Sequence, residues 1–248
     1  MARKFPPVYP HGELEELFAD LWFITGSVKM PGPLPMRFSR NMVVVRQGRE
    51  LTLINTMRLD DEGLAALDTL GEVKHLIRLA GFHGMDDPFY KDRYGAKVWV
   101  VKGQSYAKGF TNPKTKPEDG YFSPDVEMDA STELPIAGAE LITLECLAGE
   151  GLIFLDRDGG IIVAGDSLQN WASTNRYFSL AAKALMKLIG FIKPHNVGPG
   201  WVKQSKPKLE QLAAVLDREF DHLLPVHGDA VIGDAKEKFR PAIERVCG

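Results

Sequence analysis

The sequence contains little cysteine, and its two thiols, Cys146 and Cys247, lie far apart in the chain. They provide neither the disulfide framework of a small secreted domain nor a Cys-x-x-Cys metal motif. Long apolar runs are also absent, since none approaches the roughly 18 residues that a membrane-spanning helix needs. Residues 1–11 contain three prolines and lack the apolar core of a signal peptide. These absences predict a cytoplasmic protein with no membrane partner.

Neither sign of charge dominates, because 30 Lys and Arg are balanced by 33 Asp and Glu, for a net charge of −3. This balance excludes a broadly basic protein that binds nucleic acid through clustered positive charge. The Gly-x-Ser-x-Gly, Gly-x-Gly-x-x-Gly and P-loop motifs are missing as well. What remains is an ordinary globular composition, 44% hydrophobic and 25% charged, over 248 residues. It predicts a single domain spanning residues 1–248 with a small-molecule substrate or ligand.

Apolar runs typical of strands alternate with stretches of helical periodicity in the first part of the chain. The predicted strands are Leu51–Asn55, Val73–Leu79 and Ala96–Val101, and the predicted helices are Leu59–Leu70 and Pro88–Tyr94. Such alternation favours an α/β architecture.

Two long segments interrupt this alternation. Residues 102–138 are rich in Lys, Pro, Gly, Asp and Ser and predict a long loop, which in a compact domain is usually functional or mobile. Residues from about 172 to 220 predict a helical insertion. Within it, the apolar stretch Tyr177–Ile192 predicts a core-facing helix or, alternatively, a pocket wall or the contact of a homodimer.

Three short segments place ionisable groups where a predicted strand ends: Gly81–Pro88, Ala164–Leu168 and Pro225–Asp229. In α/β folds, functional sites are built at this edge of a sheet. The imidazoles and carboxylates in these segments are ligands that suit Zn, Fe or Mn. The alternative for Asp86 and Asp87 is that they cap the helix that begins at Pro88.

In their order, these segments resemble the metallo-β-lactamase fold superfamily over about residues 20–246. The pattern of that superfamily is a strand followed by His-x-His-x-Asp-His, a middle histidine, a strand ending in Gly-Asp and a strand ending in Gly-His-Gly or a similar sequence. Residues from Met42 to His83 also resemble a divergent branch, the DUF4336-like proteins, in which the metal motif is not intact. The resemblance implies an α/β fold arranged as a four-layer αββα sandwich.

Four ligand positions of the superfamily are retained. His83 matches the first histidine, Asp87 the aspartate that binds the second metal, Asp166 the bridging aspartate and His227 the last histidine. The resemblance therefore implies His83, Asp87, Asp166 and His227 as metal ligands. It also gives His83 and Asp87 catalytic roles.

Three ligand positions of the superfamily are altered. Met85 and Pro88 stand where histidines are expected, and no histidine lies between His83 and Asp166. Glu150 falls roughly at the missing middle position, although it also fits an exposed turn. His195 comes after Asp166 and is therefore out of order for that position.

The altered positions imply one divalent metal rather than two, with Zn first and Fe or Mn as alternatives. The same residues also fit a hydrogen-bonded polar cluster without metal, because carboxylates and imidazoles can neutralise one another. Two functions follow. One is a hydrolase in which a mononuclear metal activates water against an ester, thioester, lactone or phosphodiester. The other is a non-catalytic protein with a degenerate site that binds or senses a small molecule. Redox use of iron ranks last.

Overall fold

The computed structural model describes residues 5–29, 36–104 and 124–248. Two β-sheets form the centre of the molecule. The strands of the first sheet are β1 (Glu15–Phe18), β2 (Leu21–Lys29), β3 (Arg37–Gln47), β4 (Glu50–Ile54), β5 (Glu72–Arg78), β6 (Lys97–Val101) and β7 (Val126–Met128). They lie in chain order, antiparallel from β1 to β4 and parallel from β4 to β7.

The second sheet is built from the later part of the chain. Its strands are β8 (Ala139–Leu144), β9 (Glu150–Leu155), β10 (Ile161–Ala164), β13 (His222–Pro225) and β14 (Val231–Ile232), and a separate short pair consists of β11 (Leu168–Gln169) and β12 (Asn196–Val197). The spatial order is β14-β13-β10-β9-β8. Strands β10 and β13 are parallel neighbours, whereas the other pairs in this sheet are antiparallel.

Six α-helices accompany the sheets in the described part of the chain. They are α1 (Asp61–Leu70), α2 (Asp87–Tyr94), α3 (Leu180–Leu188), α4 (Pro199–Ser205), α5 (Leu209–Ala213), which continues into a 3-10 turn at Ala214–Asp217, and α6 (Ala235–Cys247). None of these helices has the length and apolar character needed to cross a membrane.

Strand β3 shows why the molecule has four layers. Val43 and Val45 point to one face and pack with Ile153 and Val163 of the second sheet, so the two sheets share a core. The alternate residues of β3 point to the other face, where their side chains join a core that α1 and α2 cover. This is the period-two alternation of a strand that is buried on both faces.

The outer face of the second sheet is also covered. Ile162 and Leu223 pack there against Trp201 of α4, Leu212 of α5 and Phe239 of α6. The order of layers is therefore helix, sheet, sheet, helix. This confirms the predicted α/β fold and four-layer αββα sandwich.

The prediction of a continuous loop over residues 102–138 is wrong for one short segment. Residues Val126–Met128 form β7, which extends the first sheet because the main-chain N–H of Asp125 donates to the Val98 carbonyl and that of Lys102 donates to Met128. Residues 105–123 of that loop lie outside the described residues. The predicted insertion at 172–220 contains α3, α4, α5 and the 3-10 turn, with the short strand β12 between them. The single domain over 1–248 stays a prediction.

Candidate metal centre

Three of the predicted ligands meet at one end of the two sheets. The ligand atoms of His83, Asp166 and His227 all lie within 4.8 Å of one another, and all three residues are buried. Asp166 and His227 directly follow β10 and β13, whose parallel pairing places the ends of both strands at the same edge of the second sheet. His83 enters from the first sheet, in the turn between β5 and α2. We call these three residues the trio.

The contacts within the trio centre on the carboxylate. Nε2 of His83 lies 3.2 Å from each of the two oxygens of Asp166, and Nε2 of His227 lies 3.2 Å from Oδ1 of the same residue. The centroids of the two imidazole rings are 5.2 Å apart. Both imidazoles thus direct the same ring nitrogen at one acidic group.

The orientation of His227 is set from behind by the main chain. Its Nδ1 lies 3.0 Å from the carbonyl oxygen of Ser39, which can only accept, so Nδ1 carries the proton. In the neutral ring, Nε2 then presents a lone pair to a carboxylate that also has only lone pairs. A cation that both groups bind, or a second proton on the ring, removes this repulsion. Such backing by a carbonyl is typical of histidines that bind metals.

The pKa shifts of His83 and Asp166 also favour a cation. Burial lowers the pKa of His83 despite the opposing charge of Asp166, which favours the neutral ring at pH 7. Burial alone would raise the pKa of Asp166, but the neighbouring His83 and His227 hold it well below its usual range. A neutral imidazole and an ionised carboxylate are the forms that bind metals.

The trio fits a single divalent metal by geometry and chemistry. Two ligand atoms of a tetrahedral zinc at its usual bond lengths lie about 3.3 Å apart. The 3.2 Å distances from Asp166 to His83 and His227 match this spacing. Two imidazole nitrogens and one carboxylate suit Zn, and also Fe or Mn.

Asp87, the fourth predicted ligand, does not belong to the group whose ligand atoms lie within 4.8 Å. It is the first residue of α2, and its Oδ1 accepts a hydrogen bond of 2.5 Å from the hydroxyl of Thr56. Its Oδ2 is buried and accepts no hydrogen bond from the described residues. The Asp87 carboxylate thus binds Thr56 and is not part of the trio, and the metal-binding and catalytic roles of Asp87 stay predictions.

Asp86 does not cap α2 with its side chain, contrary to one of the alternatives above. Instead, its Oδ2 accepts from the main-chain N–H of Arg58 at 3.1 Å and from Nη1 of Arg40 at 3.4 Å. Burial raises the pKa of Asp86, although the Arg40 guanidinium opposes this shift. Arg40 also donates to the carbonyl of Thr56 and is itself almost completely buried.

Sequence reasoning missed a polar triplet in the middle of β3, Ser39-Arg40-Asn41, which supports the site. Ser39 backs His227, and Arg40 pairs with Asp86 beside His83. Asn41 donates through Nδ2 to the carbonyls of Pro225 and Gly228 and so holds the loop that carries His227. The signal for this support was three consecutive polar residues between Phe38 and the apolar run Met42–Val45.

Glu150 and His195, the two residues considered for the missing middle position, lie outside the trio. Glu150 is not an exposed turn residue: it is buried at the start of β9 and accepts from the main-chain N–H of Ser167. Burial and the charge of Asp166 raise the pKa of Glu150 well above its usual value. His195 packs against Phe239 and does not belong to the trio.

A cavity of about 270 Å³ opens beside the trio. His83, Asp166 and His227 all line it, as does Met85, the residue at the second histidine position of the superfamily pattern. The other walls are mainly apolar and include Phe38, Trp171, Met186, Phe191 and Trp201. The site is therefore accessible to a small molecule.

Comparison with known proteins gives a match in structure only. No family model and no curated protein matches the chain. The chain is similar to the DIM-1 metallo-β-lactamase exposed to ceftazidime, with 10% identity, a TM-score of 0.62, and 97% of this chain and 100% of that chain covered. It is similar to the FIM-1 metallo-β-lactamase of Pseudomonas aeruginosa in its mono-zinc form, with 14% identity, a TM-score of 0.59, and 98% of each chain covered.

A metallo-β-lactamase from Hirschia baltica is also similar, with 15% identity, a TM-score of 0.57, and 94% of this chain and 98% of that chain covered. At these identities the similarity concerns the fold alone. The specific resemblance to the DUF4336-like branch stays a prediction.

Proposed function

Since the chain has the metallo-β-lactamase fold, we propose that it is a hydrolase that works with one divalent metal held by His83, Asp166 and His227. The observation that supports this proposal is the convergence of two imidazole nitrogens on one buried carboxylate beside an accessible cavity. Zinc is the first choice of metal, with Fe or Mn as alternatives. The reaction proposed is attack of water on an ester, thioester, lactone or phosphodiester.

The metal would supply the chemistry of such a site, because a divalent metal with three protein ligands lowers the pKa of its bound water and polarises a carbonyl oxygen. The protein residues position the components. The Ser39 carbonyl fixes the ring of His227, and the buried Arg40 guanidinium places a fixed positive charge near His83. A catalytic role for Asp87 is proposed from the resemblance alone, since Thr56 donates to its Oδ1 and the residue does not line the cavity.

An assay with chelator tests this proposal. We would measure hydrolysis of p-nitrophenyl esters and of lactones before and after treatment with EDTA and after return of Zn²⁺ or Mn²⁺. We expect activity that EDTA abolishes, that the metal restores, and that Asp166→Asn lacks in every condition. The matched control is Asp229→Asn, which makes the same change at an exposed aspartate outside the trio. Equal activity of Asp166→Asn and Asp229→Asn would overturn the proposal.

The second candidate is a non-catalytic protein that binds a small molecule in the cavity. It is favoured by Asp87, which stands at a ligand position of the superfamily pattern but binds the hydroxyl of Thr56 and is not part of the trio. This candidate predicts ligand binding that is independent of metal and no turnover of any ester. Turnover that depends on both metal and Asp166 would exclude it.

A further inference from the structure

The cavity beside the trio is built from three parts of the chain. Strands β2 and β3 and the residue before β3 form one wall, α3 and the residues after it form a second, and two tryptophans complete it. The apolar lining residues include Val28, Phe38, Trp171, Leu185, Met186 and Trp201. The helix of the predicted insertion is therefore a wall of the candidate site.

The apolar wall extends to the trio, where Trp171 packs against His227. The ring of Trp171 lies 4.7 Å from that of His227 and 5.8 Å from that of Phe38, in both cases between centroids. The indole N–H of Trp171 donates to the hydroxyl of Ser39 at 2.8 Å, so the ring is anchored. An apolar group in the cavity would thus contact a fixed aromatic surface next to His227.

The cavity offers little to an anionic ligand. Besides the trio, the charged side chains that line it among the described residues are Lys29 and Arg40. Arg40 is already paired with Asp86 and bound to the carbonyl of Thr56. Lys29 is exposed at the end of β2. Apart from the proposed metal, a phosphodiester bound deep in this cavity would therefore have only Arg40, a cation already paired, beside it.

One acceptor atom near Asp166 fits a ligand group that donates a hydrogen bond, such as a hydroxyl. Gln169 lines the cavity, and its Nε2 donates to the main-chain carbonyl of Asp166 at 3.2 Å. Its Oε1 is buried and receives no hydrogen bond from the described residues. The inner end of the cavity is thus polar, whereas the walls that lead from it are apolar.

We propose that the cavity binds an uncharged, apolar acyl or aryl group and presents the bond next to it to the trio. The chemical part of this statement rests on the proposed function, and it narrows the substrate to an ester, thioester or lactone with an apolar acyl group. The binding part does not require metal. An engineered apolar cavity of about 150 Å³ holds benzene. By the same ratio, 270 Å³ holds a chain of about ten carbon atoms.

Straight-chain alcohols from butanol to dodecanol test the binding part, because they are uncharged and cannot be hydrolysed. Their Kd would be measured by calorimetry on the full chain, with and without Zn²⁺. We expect a fall in Kd of about three- to fourfold per added methylene. The fall should level off near ten carbons and be the same with and without metal. A Kd that does not depend on chain length would overturn the inference.

Two substitutions on the same helix provide a matched comparison. Leu185→Glu puts a charge on the cavity wall and should weaken decanol binding at least tenfold. Leu188→Glu makes the same change at a side chain that is 84% exposed and does not line the cavity, so binding should be unchanged. Val28→Glu, on the opposite wall, should weaken binding as Leu185→Glu does, and it shows the effect independently of α3. Equal losses in Leu185→Glu and Leu188→Glu would overturn the inference.

Measurements of ester hydrolysis, set beside those of alcohol binding, distinguish a failure of this inference from a failure of the proposed function. Alcohol binding that depends on chain length, without any metal-dependent ester hydrolysis, would support the apolar cavity and contradict the hydrolase. Metal-dependent hydrolysis of p-nitrophenyl esters whose kcat/KM does not rise from acetate to decanoate would support the hydrolase and overturn the apolar cavity. The charge variant Leu185→Glu should reduce kcat/KM for decanoate much more than for acetate.

Discussion

Nδ1 of His227 lies 3.0 Å from the carbonyl oxygen of Ser39, so the opposite nitrogen of the ring faces Asp166. Ser39 belongs to β3 of the first sheet, and His227 follows β13 of the second. The contact therefore connects the two sheets at the edge where the trio is assembled. The position of one candidate ligand depends in this way on the packing of the whole sandwich.

Trp171 should stabilise the metal site although it is not a ligand. Its ring packs against His227, and its N–H donates to the hydroxyl of Ser39, so it holds both partners of the contact described above. Loss of groups that orient a ligand typically weakens metal binding by about 10- to 100-fold. We expect a loss in this range for Trp171→Ala and a smaller one for Trp171→Phe, measured by competition with a chromophoric chelator. Equal affinities in all three proteins would contradict this role.

The hydrogen bond from Thr56 to Asp87 should stabilise the fold without affecting the metal. Thr56→Val removes a donor to a buried carboxylate, which typically costs about 1.5–3 kcal/mol in the free energy of unfolding. Metal content should stay at the level of the unchanged protein, because Asp87 does not belong to the trio. Urea unfolding and metal analysis on the same samples provide the two readouts. The variant Asp87→Asn tests the same point directly. A loss of metal in this variant would contradict the prediction, because it would show that Asp87 is a ligand.

The buried ion pair between Arg40 and Asp86 should stabilise the fold, in the sense that neither residue can be replaced alone without a large loss of stability. Removal of one member of a buried pair leaves an uncompensated charge and typically costs about 3–5 kcal/mol. Arg40→Met should therefore lower the free energy of unfolding strongly. The double variant Arg40→Met/Asp86→Leu should recover part of the loss, because both side chains are buried. Strictly additive effects in this cycle would show that the two residues do not interact.

His75 should make the protein less stable in mild acid. Burial lowers the pKa of His75 below its ordinary value, and the indole of Trp99 donates to its Nδ1 at 3.1 Å. The unfolded chain then binds a proton more readily than the folded one, so stability falls as the pH drops below about 6.5. The loss between pH 7.5 and 5.5 should be smaller in His75→Gln than in the unchanged protein, as measured by urea unfolding. An identical pH dependence would contradict this contribution.

Local signals in the sequence could predict the α/β alternation and the ionisable groups at strand ends, whereas the four layers and the choice of ligands were implied by the resemblance to the superfamily. Asp166 and His227 directly follow apolar strands, and neighbouring parallel strands bring such residues to one edge. Asp87 was less predictable, since its spacing from His83 does not determine which way the side chain points. Its partner Thr56 comes from the connection between β4 and α1, 31 residues away in the chain.

The contacts of Ser39 and Arg40 that support the trio could not be predicted from the sequence either, because they join residues that are far apart in the chain. The partners of Arg40 and Ser39 are 46 and 188 residues away, respectively. Strand β7 has only three residues, and pairing with β6 rather than periodicity makes it a strand. Glu150 resembles a turn residue because Gly149 and Gly151 flank it, yet it is buried at the start of β9 beside Asp166.

The most direct test of the account is the metal content of the full chain, measured by mass spectrometry after purification without chelator. The account predicts one divalent metal per chain in the unchanged protein and in Asp229→Asn, and none in Asp166→Asn. Two metals per chain would contradict the single site. No metal after incubation with excess Zn²⁺ or Mn²⁺, or one metal retained in Asp166→Asn, would contradict the trio as its ligands.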